Sequence, residues 1–224
     1  MESKRLAAVE AVKEIEDGMV VGLGTGSTAY YAIVEIGRRV AEGLRIRAVA
    51  TSVQSEELAV SLHIPIVPFA EIETIDVTID GADEADGELH LIKGGGGALL
   101  REKIVAASSK RLIIIADASK VVERLGKFPL PVEIVPFAYE LTLRKLAALG
   151  CEPVIRQKDG GAFRTDNGNL IVDCHFGAIE HVKALGLALH GIPGVVEHGL
   201  FIGMADKLFV GQEDGAIREL APAR

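Results

Sequence analysis

Residues 78 to 103 read TIDGADEADGELHLIKGGGGALLREK, crowding carboxylates, one lysine and four consecutive glycines into a single stretch. Asp80 and Asp83 stand three apart, Lys93 opens the glycine run Gly94 to Gly97, and Glu102 follows shortly after. A proton shift next to a carbonyl in a small sugar phosphate needs this set: one carboxylate carries the proton between carbons, and nearby polar groups stabilise the enediolate. Glu102 is the best candidate for the base, because it stands alone beyond the glycines. Asp80 and Asp83 are close enough to share work on substrate hydroxyls, and Lys93 balances negative charge developing on the oxygens. Burial and neighbouring aspartates both raise a carboxyl pKa, which would bring the base toward neutrality. Each feature has a duller reading as a turn, a flexible loop or a solvated charge. Their crowding favours a reaction centre.

The surrounding pattern supplies elements to hold these groups. Ile75, Val77 and Ile79 alternate with Asp76, Thr78 and Asp80, predicting a short strand with one apolar and one polar face. Asp80 and Asp83 then fall at or just past its carboxyl end, where open α/β sheets bind ligands. A second strand, Leu89 to Ile92, ends at Lys93. The glycines let the backbone approach a ligand and lead into a helix near Ala98 whose positive end favours an anion. Helical side chains lean toward the N-terminus, so Glu102 would point back over the glycine loop.

Upstream, Leu6, Val9, Val12 and Ile15 predict a helix over 3–17, and Met19 to Leu23 a buried strand. The strand runs into Gly24-Thr25-Gly26-Ser27-Thr28 and a helix reaching Ala41. That order places amides, hydroxyls and a helix dipole around a phosphate. It lacks both the Walker spacing and the full dinucleotide fingerprint, leaving a site for a small phosphorylated ligand or a βα turn that binds nothing. Arg47 to Ala50 gives another strand, with Thr51 and Gln54 as a capping box for a helix ending near His63. Arg111 to Ala116 suits a strand buried on both faces. Lys120 lies just past its end, on the rim shared by Thr25 to Thr28, Asp80 to Asp83 and Lys93 to Gly97.

From Pro129 the order becomes strand, helix, strand, turn, strand, helix, strand, the split pattern of ferredoxin-like domains. The expected fold is a Rossmann-like parallel α/β sheet domain, residues 1–127 with 205–224, carrying a smaller ferredoxin-like α+β domain at 128–204. His175, His181, His190 and His198 read as ordinary core, edge or surface histidines, since nothing in the sequence pairs them with a nucleophile or metal set. The chain has 224 residues, nearly half apolar, and a formal net charge of -8. That acidity argues against broad nucleic-acid or anionic-membrane binding and requires the charge of an anionic ligand to be met locally. Two cysteines without metal-ligand spacing and no apolar run of membrane length set cytoplasm and reduced thiols as the default expectation.

The segments Gly24–Thr28, Asp80–Asp86, Lys93–Ala98 and Glu102-Lys103 resemble, in order, the successive signatures of ribose-5-phosphate isomerase type A. The resemblance spans essentially the whole chain. It implies interconversion of D-ribose 5-phosphate and D-ribulose 5-phosphate in the non-oxidative pentose phosphate pathway, with neither metal nor cofactor. By the same resemblance Glu102 is the proton acceptor, working through a cis-enediolate. Asp80, Asp83 and Lys93 hold the substrate and assist ring opening and oxygen protonation, and Gly81 and Ala82 also contact the substrate. Thr25, Gly26, Ser27, Thr28, Gly94, Gly95, Gly96 and Lys120 contact its phosphate end and backbone, with Lys4 a weaker phosphate candidate. It further implies a homodimer or homotetramer. Amino-sugar phosphate deamination would ask for a histidine near the carboxylates, where only His90 is available; coenzyme A transfer uses a larger scaffold. A sugar-phosphate-sensing module of a regulator would need a basic DNA-binding segment.

Overall fold

The computed structural model describes residues 1–222. In chain order it forms α1 (Glu2–Val12), β1 (Val20–Leu23), α2 (Ser27–Ala41), β2 (Arg47–Ala50), α3 (Val53–Ser61), β3 (Val77–Gly81), β4 (Glu84–Ala85), β5 (Leu91–Ile92), α4 (Leu99–Ala107) and β6 (Leu112–Asp117). These are followed by β7 (Leu130–Ile134), α5 (Tyr139–Ala147), β8 (Glu152–Ile155), β9 (Gln157–Lys158), β10 (Gly161–Ala162), β11 (Leu170–His175), α6 (Val182–His190), β12 (Val195–His198), β13 (Leu200–Phe201), β14 (Lys207–Gly211) and β15 (Ile217–Leu220).

The six-stranded main sheet has the order β15-β14-β6-β3-β1-β2, parallel except at the β15 edge. Its central strands read as continuous apolar runs because helices cover both faces. From β1 the chain crosses to β2 on one side, while β3 lies on the other, so the strand order reverses between β1 and β3. Crevices at such switch points hold ligands. Gly24 and Asp80 sit at this one. The second sheet, β12-β7-β11-β8, is antiparallel throughout, and with α5 and α6 it has the ferredoxin-like order. A small sheet, β13-β5-β4, lies next to both in sequence. Leu130, Val132, Ile134, Leu146, Val172 and Leu189 form the second core, which also takes in Ile92 and Leu200 from the small sheet.

Several local expectations change. The first helix stops at Val12 rather than 17, although Ile15 is still buried. Glu14 there leaves helical register and holds Arg111 and Lys207. The polar face of β3 is buried too, with Thr78 and Asp80 almost inaccessible: Thr78 Oγ1 meets Ser109 Oγ just past α4 at 2.7 Å, and Asp80 is covered by Lys93 and the turn after β1. The cap of α3 is Ser52, whose Oγ accepts from Ser55 N at 3.1 Å; Thr51 instead donates to Leu23 O. Leu89 has a φ of 58° and belongs to a turn in which Asp86 Oδ1 accepts from the amides of Glu88 and His90. That leaves only Leu91–Ile92 as strand. The edge strand β15 and the small sheet have too few residues to carry a periodicity of their own.

Glu84 on β4 ties the small sheet to the segment entering the second: its two oxygens accept from Gly126 N at 2.7 Å and Phe128 N at 2.6 Å. A buried amide left without an acceptor costs about 1–3 kcal/mol. Glu84→Ala is therefore expected to lower unfolding stability by about 1–3 kcal/mol per amide stranded, read as a lower urea midpoint at unchanged slope. An unchanged midpoint would show that the connection is held elsewhere.

Candidate active site

Lys93 is the centre of the site. Its side chain is 2% exposed, and its Nζ lies 2.9 Å from Asp80 Oδ2, 3.2 Å from Glu102 Oε1 and 2.6 Å from Gly81 O. β5 delivers the ammonium, β3 delivers Asp80, and the first turns of α4 deliver Glu102, so three chain segments must fold before the cluster exists. Asp80 Oδ1 accepts from Thr25 N at 3.1 Å and Gly81 N at 2.7 Å, which locks the turn after β1 to the end of β3. A Cβ at Gly24 would lie 2.2 Å from Asp80 Oδ1, so only glycine allows this approach. Both Asp80 oxygens are thus engaged.

Glu102 is equally buried, and its Oε2 has no hydrogen-bond partner. Burial is the largest influence on its carboxyl and pushes it up to about 8; Lys93 pulls it down and Asp80 pushes it further up. Burial opposes the Lys93 ammonium, but Asp80 and Glu102 outweigh it and hold the lysine above its ordinary value. In the dry cluster the Lys93 charge is balanced by Asp80, so Glu102 is the carboxylate that takes up a proton near neutrality. Its free Oε2 is the atom available to exchange it.

Beside this cluster opens a cavity of about 240 Å³ lined by Lys4, Gly26, Ser27, Thr28, Gly81, Ala82, Asp83, Lys93, Gly94, Gly95, Gly96, Glu102 and Lys120, with Thr25 at its wall. The structure brings together the residues expected from the four motifs, with one difference of access: Asp83 faces the cavity and Asp80 lies behind it. Asp83 Oδ2 accepts from Gly95 N at 2.7 Å. The Thr25 hydroxyl points away from the cavity into a buried group formed with Thr51, Ser52 and Ser55, at 2.7, 2.8 and 3.2 Å. Lys4 reaches across from α1, donating to Ser27 Oγ at 3.1 Å, with Asp117 at 3.7 Å. Lys4 and Lys120 therefore stand on the cavity rim of a chain of net charge -8, placed to meet an anion's charge locally, while Lys93 is engaged by Asp80 and Glu102. The α2 N-terminus at Ser27 adds its amides. Sequence spacing alone says little of Lys4, since only the packing of α1 carries it to this rim. The hydroxyl run Thr51-Ser-Val-Gln-Ser55 after β2 was a visible signal for the buried hydroxyl group.

Phe201, fully buried, has Lys93 Nζ 5.4 Å and Lys103 Nζ 5.0 Å from its ring centroid. Beyond it the structure joins residues that the sequence left unpaired: His190 Nε2 is 3.0 Å from Glu197 Oε1, and the His190 and His198 rings are 4.4 Å apart. One ligand atom from each of these three residues lies within 4.8 Å of the others. A cation already serves the group: the Lys103 ammonium lies 2.7 Å from Glu197 Oε1. His198 Nδ1 accepts from Leu200 N, which places any proton of the neutral ring on Nε2. A larger depression of about 850 Å³ between Asp86–His90 and Glu180–Ala184 has lining groups of both charge signs, and none of the orphaned buried polar atoms found among the described residues lies there.

A Rossmann-like sheet whose switch point holds a buried acid–ammonium–acid cluster beside a lysine-rimmed cavity gives a site equipped for proton transfer on a small anionic substrate, as an isomerase requires. Residues 47–215 match the family model described as ribose 5-phosphate isomerase A (phosphoriboisomerase A). Ribose-5-phosphate isomerase A of Sphingopyxis alaskensis is 53% identical over 94% of this chain and 92% of its own length; that of Methanothermobacter thermautotrophicus is 50% identical over 96% of each. Among solved structures, a D-ribose-5-phosphate isomerase in complex with phospho-erythronic acid superposes with a TM-score of 0.95 at 40% identity, covering 98% of both chains. The ribose 5-phosphate isomerase of Plasmodium falciparum gives 0.96 at 38% over the full length of both. The chain belongs to the ribose 5-phosphate isomerase A family.

Carboxyl-selective carbon NMR of the free protein is expected to show Glu102 titrating near pH 8. Lys93→Met should move that titration to higher pH, because it removes the charge that favours the carboxylate, and Asp80→Asn should move it lower. Shifts in the same direction for both variants would contradict this electrostatic arrangement.

Proposed function

We propose that the chain interconverts D-ribose 5-phosphate and D-ribulose 5-phosphate by proton transfer through a cis-enediolate, without a metal ion, in the non-oxidative pentose phosphate pathway. The observation that carries this reading is the unpartnered Glu102 Oε2 in a buried cluster whose other oxygen is held by Lys93. With the sugar open, ionised Glu102 removes the proton from C2. The C2–H electron pair forms the C1–C2 double bond, and the carbonyl pair moves onto O1. Lys93 stabilises the charge on O1 as an ammonium. Glu102 then returns its proton to C1 while the O2 proton passes to O1 and C2 becomes the carbonyl. Fixed donors and charges in a water-poor site stabilise the enediolate without reorganising.

Asp83, the accessible aspartate, holds substrate hydroxyls and assists ring opening. Asp80 acts from behind, fixing Lys93 and the Gly24–Thr28 turn. Ser27, Thr28, Lys4 and Lys120 hold the phosphate end together with the α2 amides. Gly26, Gly81, Ala82 and Gly94–Gly96 line the backbone walls, and Thr25 supports the turn through its hydroxyl partners. The phospho-erythronic acid bound by the structural relative is a four-carbon acid phosphate, a size and charge that suit this cavity. We also propose that residues 1–127 with 205–224 and residues 128–204 are the two domains, that the protein is cytoplasmic, and that it assembles as a homodimer or homotetramer.

The test is formation of ribulose 5-phosphate from ribose 5-phosphate in buffer containing chelator. Wild-type turnover is expected to survive chelation, and Glu102→Gln is expected to reduce kcat about 10²–10⁴-fold while still binding phospho-erythronic acid. Near-wild-type turnover of the variant would remove Glu102 from its role. In the wild type, kcat/KM should rise with pH as Glu102 ionises, on the limb set by a carboxyl near 8; a falling limb across that range would exclude it as the base.

A further inference from the structure

The glycine loop is gripped from outside the cavity by the second sheet. Arg156 follows β8 directly, and its Nε and Nη2 fork onto the two oxygens of Asp173 on β11. Its Nη1 donates to Gly94 O at 2.9 Å and Gly95 O at 3.1 Å. Those carbonyls belong to two successive peptide units. In a trans peptide the C=O and N–H point in opposite directions, so drawing both carbonyls outward turns the partner amides inward. The Gly95 amide meets Asp83 Oδ2 at 2.7 Å. The Gly96 amide has no protein acceptor among the described residues, and Gly96 lines the cavity.

The rest of the 156–169 hairpin braces the same loop. A Cβ at Gly97, whose φ is 81°, would lie 2.4 Å from the Phe163 ring. Asp166 Oδ2 accepts from Val53 N at the start of α3 and from Arg101 on α4, which also reaches Asn167 Oδ1. The turn at Thr165–Asn169, which leads into β11, is rooted in the second core by Glu133, whose Oε1 accepts from Thr165, Asn167 and Asn169.

We propose that Arg156 is a positioning residue for the isomerase: from the second sheet it sets the two peptide planes of the glycine loop so that one amide orients Asp83 and the next binds an oxygen of the sugar phosphate. This rests on the proposed reaction and adds a residue outside the four motifs. Arg156 does not line the cavity, and Asp173 neutralises its charge, so it acts through orientation rather than by attracting the anion. The planar fork matters, since Arg156 makes four contacts at once, two to Asp173 and two to loop carbonyls, and a lysine ammonium has three donors and no bidentate geometry.

The test compares wild type, Arg156→Lys, Arg156→Gln and Asp173→Asn for kcat and KM with ribose 5-phosphate, for phospho-erythronic acid affinity by calorimetry, and for the Gly96 amide signal with and without that ligand. KM and the dissociation constant are expected to rise about tenfold in both Arg156 variants, with kcat changed less than about threefold, because the loop amide holds substrate and transition state alike. The loss should be the same at low and high salt, and the ligand-induced shift of the Gly96 amide should shrink. Asp173→Asn should give a smaller loss of the same pattern, and it decides the matter if the Arg156 variants do not fold. Folded variants with wild-type KM, a loss confined to low salt, or an undiminished Gly96 shift would overturn the proposal. An inactive wild type would instead overturn the isomerase reading itself.

Discussion

Taking the Lys93 ammonium out of water costs several kcal/mol, and the surroundings of the site are arranged to offset that. One aspartate, one glutamate and one backbone carbonyl converge on it. The offset is deliberately incomplete in charge terms: two buried carboxylates face one ammonium, so one of them is pushed toward holding a proton. Asp80 is fixed as the counterion by its hydrogen bonds to two backbone amides and Lys93. Glu102 has only Lys93 on one oxygen and nothing on the other. The division of labour between the two acids follows from that difference in partners.

The fold converts this cluster into a site through the reversal of strand order between β1 and β3. The carboxyl ends of these strands meet there, and Asp80 bridges them by accepting the Thr25 amide. The turn that Asp80 fixes is the start of α2, whose hydroxyls and amides face the cavity. The proposed proton transfer and the proposed anion binding therefore share one side chain, Asp80, as their structural joint. Displacing Asp80 would disturb both.

The second sheet contributes no residue to the cavity wall, yet it shapes that wall. Arg156, Phe163 and Asp166 reach the outer side of the glycine loop and the starts of α3 and α4. Four glycines in succession have high conformational freedom, and ordering them into one amide-inward arrangement has an entropic cost that these contacts help to meet. The same sheet carries Glu197, which with the Lys103 ammonium anchors the face of α4 next to Glu102.

The sequence by itself brought the candidate groups together: Asp80, Asp83, Lys93 and Glu102 are close in the chain, and the strand and helix periods around them are strong enough to put them on one rim. It also determined the ferredoxin-like order after Pro129, because turn residues separate the strands and helices there and leave their β-α-β-β-α-β succession readable. Only the tertiary structure decided which aspartate is accessible, since Asp80 is buried by Lys93 and by the turn after β1, which come from separate chain segments. It alone carried Lys4 to the rim, turned the Thr25 hydroxyl into the group made with Thr51, Ser52 and Ser55, and joined His190 and His198 through Glu197. Arg156 lies 62 residues from Gly94, and no local pattern encodes that contact. Local sequence specifies residues that are neighbours along a strand or helix. Contacts between separate sheets arise only when the cores beneath them pack.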